Sequence, residues 1–146
     1  MKAEPPVILL VEDNPAHAEL VLRSIEDTWS ANHIHHVTHG EAALDYLYQR
    51  AAYKDSERSP RPKLILLDLR LPRIDGLDVL REIKGADALK DIPVVILTTS
   101  KAEIDVAKAY EYWANSYLVK PLDFKDFDQM MNQLGSYWLS WNYCLR

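Results

Sequence analysis

Five short apolar runs lie at nearly regular intervals along the chain and begin at residues 7, 34, 64, 94 and 117. Each interval is close to the roughly 30 residues of a unit in which a helix connects two parallel strands. Four runs have the length and the aliphatic, β-branched content of strands buried on both faces of a sheet, and the second run is weaker. The predicted strands are residues 7–11, 34–38, 64–67, 94–97 and 117–119.

The segments between these runs carry apolar residues at the spacing of helices. Asn14 followed by Pro15 predicts an N-cap and a proline in the first turn of the first helix, and Gly85 is expected to end the third. We therefore predict five helices. The fourth spans residues 104–112. The apolar positions of the others are Ala18, Val21, Leu22 and Ile25; Ala43, Leu44 and Leu47; Leu77, Leu80 and Ile83; and Phe127, Met131, Leu134 and Trp138.

The alternation of strand and helix predicts one α/β domain, a five-stranded parallel sheet with helices on both faces. Residues 50–62 are polar and aperiodic, so we expect a long surface loop there rather than a domain boundary. We assign residues 1–135 to this domain and residues 136–146 to an aromatic tail. No output domain is expected, because about a dozen residues are too few to form one.

Composition excludes several classes of protein. The chain has 22 acidic and 17 basic side chains and no basic block, so we expect no nucleic-acid partner. No apolar run reaches the roughly 20 residues that span a bilayer, so we expect no membrane association. The single cysteine, Cys144, cannot form an internal disulfide, which agrees with a cytoplasmic location.

Charged and hydroxyl side chains follow the predicted strands at their carboxyl ends. Glu12 and Asp13 follow the first strand, Asp68 the third, Thr98 the fourth and Lys120 the fifth. Ligands of open parallel sheets bind at this edge, near the point where the strand order reverses. These side chains are therefore expected to form one site, although acids after strands can also simply begin turns and cap helices.

This set of side chains fits magnesium and phosphate chemistry. Mg²⁺ prefers oxygen ligands, uses one or two carboxylates and completes its shell with water and phosphate. We expect Asp13 and Asp68 as direct ligands and Glu12 as a ligand through water. Lys120 is placed to neutralise a phosphoryl oxygen. A carboxylate such as Asp68, facing a metal ion and a lysine, is suited to accept an in-line phosphoryl group.

From about residue 7 to about residue 134, the chain resembles the response-regulator receiver family. The resemblance rests on ILLVEDN at 8–14, LLDLRLP at 66–72, DG at 75–76, PVVILT at 93–98 and YLVKP at 117–121. It implies a flavodoxin-like, doubly wound sheet of strand order 2-1-3-4-5 with five helices. The position of ligands at the carboxyl ends of open parallel sheets was itself generalised partly from members of this family. The agreement of the predicted site with that position is therefore not independent support for the resemblance.

The resemblance also implies the chemistry of the site. Asp68 would receive a phosphoryl group from a phosphohistidine of a sensor histidine kinase. Lys120 would contact the phosphate, and its peptide bond to Pro121 would be cis, a form that proline makes accessible. The residues implied to bind Mg²⁺ are Glu12, Asp13, Asp68 and, through its backbone carbonyl, Arg70.

A conformational switch follows from the same resemblance. Thr98 would move to bond the phosphoryl group, and Tyr117 would turn inward as Thr98 moves. An ordinary half-buried tyrosine is the alternative for Tyr117. Two further residues would influence the lifetime of the phosphate, in a direction that the sequence does not give. They are Arg70, two residues after Asp68, and Ser100, two residues after Thr98.

Partners are suggested by two further features. Residues 114–117 and the loop at 50–62 are similar to stand-alone regulators that serve phytochrome-type sensor kinases. The tail is rich in aromatic residues and, with Tyr110, Tyr112 and Trp113, predicts a homodimer through the fourth helix, fifth strand, fifth helix and tail. The alternative is that the tail packs on its own domain.

Other functions remain as alternatives. A haloacid-dehalogenase-type phosphatase would need a second aspartate where Arg70 stands, and flavin carriers or nucleotide hydrolases would need phosphate-binding loops that the chain lacks. A zinc site on His33 and His35 is less favoured than a polar edge strand. Two alternatives keep the receiver fold: an adaptor that works without phosphorylation, and a relay carrier that passes phosphate to another histidine.

Overall fold

The computed structural model describes residues 7–26 and 33–141. The strands are β1 (Ile8–Val11), β2 (Ile34–Val37), β3 (Leu64–Leu67), β4 (Val94–Thr98) and β5 (Ser116–Val119). The helices are α1 (Pro15–Glu26), α2 (Gly40–Leu47), α3 (Gly76–Gly85), α4 (Glu103–Glu111) and α5 (Phe124–Gly135). All strand pairs are parallel, in the order β2-β1-β3-β4-β5. The predicted fold is confirmed.

The strand register brings the carboxyl ends of the central strands to one edge of the sheet. Val11 is level with Leu67 in the neighbouring strand, so the residues that follow them emerge side by side. β4 is level with β5 up to Thr98 and Val119. The strand order reverses between β1 and β3, which places the acidic residues at the crevice where such sheets bind ligands.

Two apolar cores hold the helices against the sheet, because successive side chains of a buried strand point to opposite faces. In β1, Leu9 and Val11 pack with α2 and α3, whereas Ile8 and Leu10 pack with α1 and α5. Each fully buried Leu, Ile or Val side chain contributes on the order of 1.5–3 kcal/mol to folding. The sheet is therefore a rigid base for the side chains at its edge.

The helix ends follow the predicted local chemistry. The Asn14 side chain accepts hydrogen bonds from the backbone N–H groups of Ala16 and His17, as expected of an N-cap before Pro15. α3 ends at Gly85 as predicted. Three of the apolar helix positions named from the sequence, Leu22, Leu77 and Trp138, are only partly buried because they lie at the margins of the two cores.

The predicted surface loop at 50–62 is anchored more firmly than its polarity suggested. It opens with a 3₁₀ turn, Ala51–Tyr53, and the hydroxyl of Tyr46 donates to the backbone carbonyl of Pro60 at 2.8 Å. Ser59 is buried, and its carbonyl accepts from Gln49 at 3.0 Å. Tertiary hydrogen bonds that leave no periodic signal in the sequence hold this segment.

The expectation of a cis bond before Pro121 is wrong, because the structure has a trans peptide there. Trans is the lower-energy form for a bond to proline by about 0.5–1 kcal/mol. The backbone N–H of Lys120 still donates to the carbonyl of Thr98 at 2.7 Å. The pairing of β4 and β5 therefore extends to Lys120 with an ordinary trans bond after it.

The start of the tail contacts its own domain. After α5 the chain forms a π-helical turn, Ser136–Trp141, in which Trp138 packs against the core beneath α1 and α5. Tyr137 remains exposed and lies edge-on to the Trp138 ring, with centroids 5.3 Å apart. The remainder of the predicted tail, including Cys144, lies outside the described residues.

Candidate functional site

Three carboxylates converge at the crevice. Oxygen atoms of Glu12, Asp13 and Asp68 lie within 4.8 Å of one another, and they are the one potential metal-binding group among the described residues. Glu12 is 2% exposed and Asp68 is 7% exposed, whereas Asp13 is open to solvent. A cluster of oxygen donors with one open side fits a hard divalent cation that keeps water ligands.

Lys120 enters the cluster from β5 and is itself buried. Its Nζ donates a short hydrogen bond to Oε1 of Glu12 and another to Oδ2 of Asp68 at 3.3 Å. The backbone N–H of Asn14 donates to the second oxygen of Glu12 at 3.1 Å. One ammonium therefore joins the two buried carboxylates and offsets the repulsion between them.

Burial raises the pKa of Glu12 to about 7, and the negative charge of Asp68 acts in the same direction. The contact with Lys120 opposes this shift. Removing a carboxylate from water disfavours its charged form. An additional positive charge near Glu12 would therefore stabilise its ionised form. A divalent cation would supply that charge.

His17 is a member of the site that the sequence reasoning missed. Its Nδ1 lies 3.0 Å from Nζ of Lys120 and accepts the third hydrogen bond of that ammonium. Burial and the charge of Lys120 lower the pKa of His17, so the ring is neutral at pH 7 and its 3.9 Å approach to Glu12 is not an ion pair. Its position on the first turn of α1 was the available signal.

Gly76 allows the acceptor loop, the segment from Asp68 to Asp75 that follows β3, to lie against α3. A Cβ at this position would lie 2.3 Å from the carbonyl oxygen of Asp68 and 2.5 Å from Cα of Leu69. The backbone N–H of Gly76 also donates to the carbonyl of Leu69 at 3.0 Å. The predicted motif of Asp75 and Gly76 thus combines a helix N-cap, in which Asp75 accepts from Leu77, with a close backbone approach.

The predicted switch residues lie on two neighbouring strands, Thr98 at the end of β4 and Tyr117 in β5. Thr98 is fully buried, and its Oγ1 accepts from the backbone N–H of Ser100 at 3.4 Å. Tyr117 is half-buried and donates its hydroxyl to the carbonyl of Ser100 at 3.0 Å. Both side chains therefore contact the same residue, at the start of the loop between β4 and α4.

Asp105 is a buried carboxylate that the sequence analysis did not single out. Its Oδ2 accepts from the guanidinium of Arg70 at 2.9 Å and from the hydroxyl of Ser100 at 2.6 Å. In the sequence Asp105 is an ordinary acid in the first turn of a helix, where acids are common. Only the packing of α4 beside the loop after β3 brings it to Arg70.

Three histidines in or beside β2 have local structural roles. His36 Nε2 lies 2.8 Å from the carbonyl of Glu12, and His39 Nδ1 accepts from the backbone N–H of Ala42 at the start of α2. The ring of His35 packs against Tyr46. Zinc binding, which the sequence disfavoured, gains no support from these contacts.

Comparison with known proteins identifies the family. The sequence model of the family described as "response regulator receiver domain" matches residues 8–132. The chain belongs to the response-regulator receiver family. It is therefore a signalling protein of two-component systems, with the fold of its solved relatives.

Two similar proteins match over nearly their whole length. The probable methanogenesis regulatory protein FilR2 of Methanothrix harundinacea is 46% identical over 143 residues, which cover 97% of this chain and 90% of that protein. The response regulator Rcp1 of Synechocystis is 46% identical over 135 residues, covering 92% and 90%.

Two solved structures are also similar. The Mn²⁺-bound form of Rcp1 superposes with a TM-score of 0.85 at 44% identity, covering 97% of this chain and 100% of that one. The phosphorylated cyanobacterial phytochrome response regulator RcpA has a TM-score of 0.92 at 36% identity, covering 98% and 100%.

Within residues 7–26 and 33–141, no helix combines the length and apolar character needed to cross a bilayer.

Proposed function

We propose that this receiver accepts a phosphoryl group on Asp68 with the help of Mg²⁺. The observation that carries the proposal is the buried carboxylate of Asp68, which shares one crevice with two acids and hydrogen-bonds to Lys120. The Mn²⁺-bound Rcp1 and phosphorylated RcpA support it by similarity. Glu12, Asp13, Asp68 and the backbone carbonyl of Arg70 would hold the ion, which when bound supplies positive charge to the phosphoryl oxygens.

The transfer is an in-line displacement. One carboxylate oxygen of Asp68 forms a bond to phosphorus as the bond from phosphorus to the donor nitrogen of a phosphohistidine breaks, and the imidazole leaves with that electron pair. Lys120 is already hydrogen-bonded to Asp68 and would donate to a phosphoryl oxygen as charge develops on it. No proton needs to leave Asp68 when it reacts as the carboxylate.

A switch would then couple the crevice to the face formed by α4, β5 and α5. The phosphoryl group brings roughly two negative charges and three acceptor oxygens. Thr98 would leave the N–H of Ser100 to donate to one of those oxygens, and Tyr117 would leave the carbonyl of Ser100 and turn inward. The contacts of both side chains with Ser100 support this coupling.

We propose a sensor histidine kinase of the phytochrome class as the phosphate donor, since RcpA, a phytochrome response regulator, is similar over the whole chain. We also propose a homodimer through α4, β5, α5 and the tail. Large apolar side chains are exposed on or beside these elements, as expected of an interface core. They are Ile104, Tyr110, Trp113, Leu122, Phe124 and Tyr137.

The test is treatment with acetyl phosphate and Mg²⁺ followed by intact mass measurement. The expected result is a gain of one phosphoryl group in the wild type and in Asp78→Asn, which removes an exposed acid of α3. No gain is expected in Asp68→Asn or without the metal. An unmodified wild type that also takes no phosphate from a phosphorylated phytochrome-class kinase would instead support an adaptor that works without phosphorylation.

A further inference from the structure

The contact between Arg70 and Asp105 joins an exposed, movable cation to a fixed, buried anion. The Arg70 side chain is 64% exposed on the loop after β3. Asp105 is 8% exposed on the first turn of α4. Because a long exposed side chain loses little by changing partners, Arg70 is the member of this pair that can move.

Asp105 also keeps a partner when Arg70 leaves. The same oxygen, Oδ2, accepts the hydroxyl of Ser100 at 2.6 Å. A buried carboxylate that lost all of its donors would be costly, but this one would retain a hydrogen bond. Release of Arg70 is therefore accessible without unfolding the start of α4.

Arg70 already lies beside the phosphate acceptor. Its backbone N–H donates to Oδ1 of Asp68 at 3.3 Å, two residues away. A phosphoryl group on Asp68 would place roughly two negative charges near the root of the Arg70 side chain. A guanidinium forms strong paired hydrogen bonds with phosphoryl oxygens, so the phosphate and Asp105 would compete for Arg70.

We propose that Asp105 is a positioning residue that withholds Arg70 from the phosphoryl site and thereby weakens the phosphorylated state. This proposal rests on phosphorylation of Asp68. In the unphosphorylated protein, Asp105 holds Arg70 on the α4 side and holds Ser100, whose carbonyl accepts from Tyr117. When the phosphoryl group takes Arg70, the tie between the loop after β3 and α4 is lost. The face formed by α4, β5 and α5 is then released at the same time as the phosphoryl site is filled.

The experiment measures the affinity of beryllofluoride, a phosphoryl analogue, for the full chain in Mg²⁺ by ¹⁹F NMR. Asp105→Asn keeps the shape of the side chain and removes its charge. We expect it to bind beryllofluoride roughly threefold to fivefold more tightly than the wild type, the size of one partly exposed ion pair. Asp105→Glu, which restores a carboxylate, should return the affinity toward that of the wild type.

Two further variants separate positioning by Arg70 from a general effect of charge. In an Arg70→Gln background, Asp105→Asn should change the affinity by less than about 1.5-fold, because there is no guanidinium to release. Glu103→Gln removes an exposed carboxylate from the same helical turn and should leave the affinity unchanged.

The outcomes are distinct. An unchanged affinity in Asp105→Asn, or an increase that persists in the Arg70→Gln background, would overturn the role of Asp105. Failure of the wild type itself to bind beryllofluoride would count against the proposed phosphorylation of Asp68. Thermal unfolding of each variant shows whether it is folded. If Asp105→Asn is not folded, Ser100→Ala removes the other donor to Asp105 and should weaken beryllofluoride binding, because release of Arg70 would then leave Asp105 without that hydrogen bond. An unchanged affinity in Ser100→Ala would likewise overturn the role of Asp105.

Discussion

Lys120 and Arg70 meet carboxylates at the same edge of the sheet, but in opposite surroundings. The Lys120 side chain is 3% exposed and joins two buried acids, whereas the Arg70 side chain is 64% exposed and reaches one. A buried cation cannot leave without stranding charges in a medium of low dielectric constant, while an exposed one exchanges its partner for water at small cost. We infer that Lys120 is a fixed part of the site and that Arg70 is a movable one.

Removal of the charge of Lys120 should have the largest effect. In Lys120→Met, Glu12 and Asp68 lose the cation that joins them, so the free energy of unfolding of the metal-free protein at pH 8 should fall by about 3–5 kcal/mol. Denaturation in urea measures this. Lys101→Met, at an exposed position, is the matched control. A loss below about 1 kcal/mol in Lys120→Met would mean that Lys120 is as dispensable as an exposed lysine.

The second prediction concerns pH and the buried side of the comparison. Glu12 in the folded, metal-free protein holds its proton up to about pH 7, but an unfolded glutamate holds it only to about 4.5. Between these values the folded state binds more protons, so this contribution to stability is complete below pH 4.5 and is lost as the pH rises through 7.

The Glu12→Gln variant isolates this contribution. The difference in unfolding free energy between wild type and variant should change by roughly 2–3 kcal/mol from pH 4.5 to 8, with the wild type losing stability relative to the variant. Asp13→Asn, at the exposed acid of the cluster, is the comparison variant. A pH-independent difference would show that Glu12 titrates like an unfolded glutamate.

The third prediction tests how tightly the acceptor loop is held. Gly76→Ala should lower the free energy of unfolding by about 1–3 kcal/mol, because its Cβ would meet the backbone of Asp68 and Leu69. Gly85→Ala, where a Cβ meets no atom within 4 Å, should stabilise α3 by up to about 1 kcal/mol. Equal effects of the two changes, measured by thermal unfolding, would contradict a tightly packed acceptor loop.

The smallest effect is expected on the exposed side. Arg70→Gln should change the free energy of unfolding by only about 0.2–1 kcal/mol, as is usual for a partly exposed ion pair. Urea denaturation, run beside Lys120→Met, gives the contrast directly. A loss of several kcal/mol would show that Arg70 is a structural cation like Lys120, and the distinction between fixed and movable cations would fail.

The amino-acid sequence was enough to predict the fold and the membership of the acidic cluster. Continuous apolar runs such as residues 64–67 must be buried on both faces, and their spacing leaves room for one helix between each pair. Parallel strands end at a common edge, so Glu12, Asp13 and Asp68 had to converge once those strands were recognised. Local chemistry also sufficed for Asn14 as an N-cap, because that signal lies within a few residues.

Contacts between distant elements were decided only by the tertiary structure. The hydrogen bond of Lys120 to Glu12 joins residues 108 positions apart, and that of Arg70 to Asp105 joins residues 35 apart. Asp105 is not marked locally, because acids are common in the first turn of a helix, and the place of His17 on the first turn of α1 does not reveal its contact with Lys120, 103 positions away. The packing of the helices and loops around the sheet sets the local dielectric surroundings of each charge. It therefore determines which cation is buried, which one is free to move and how far the pKa of Glu12 rises.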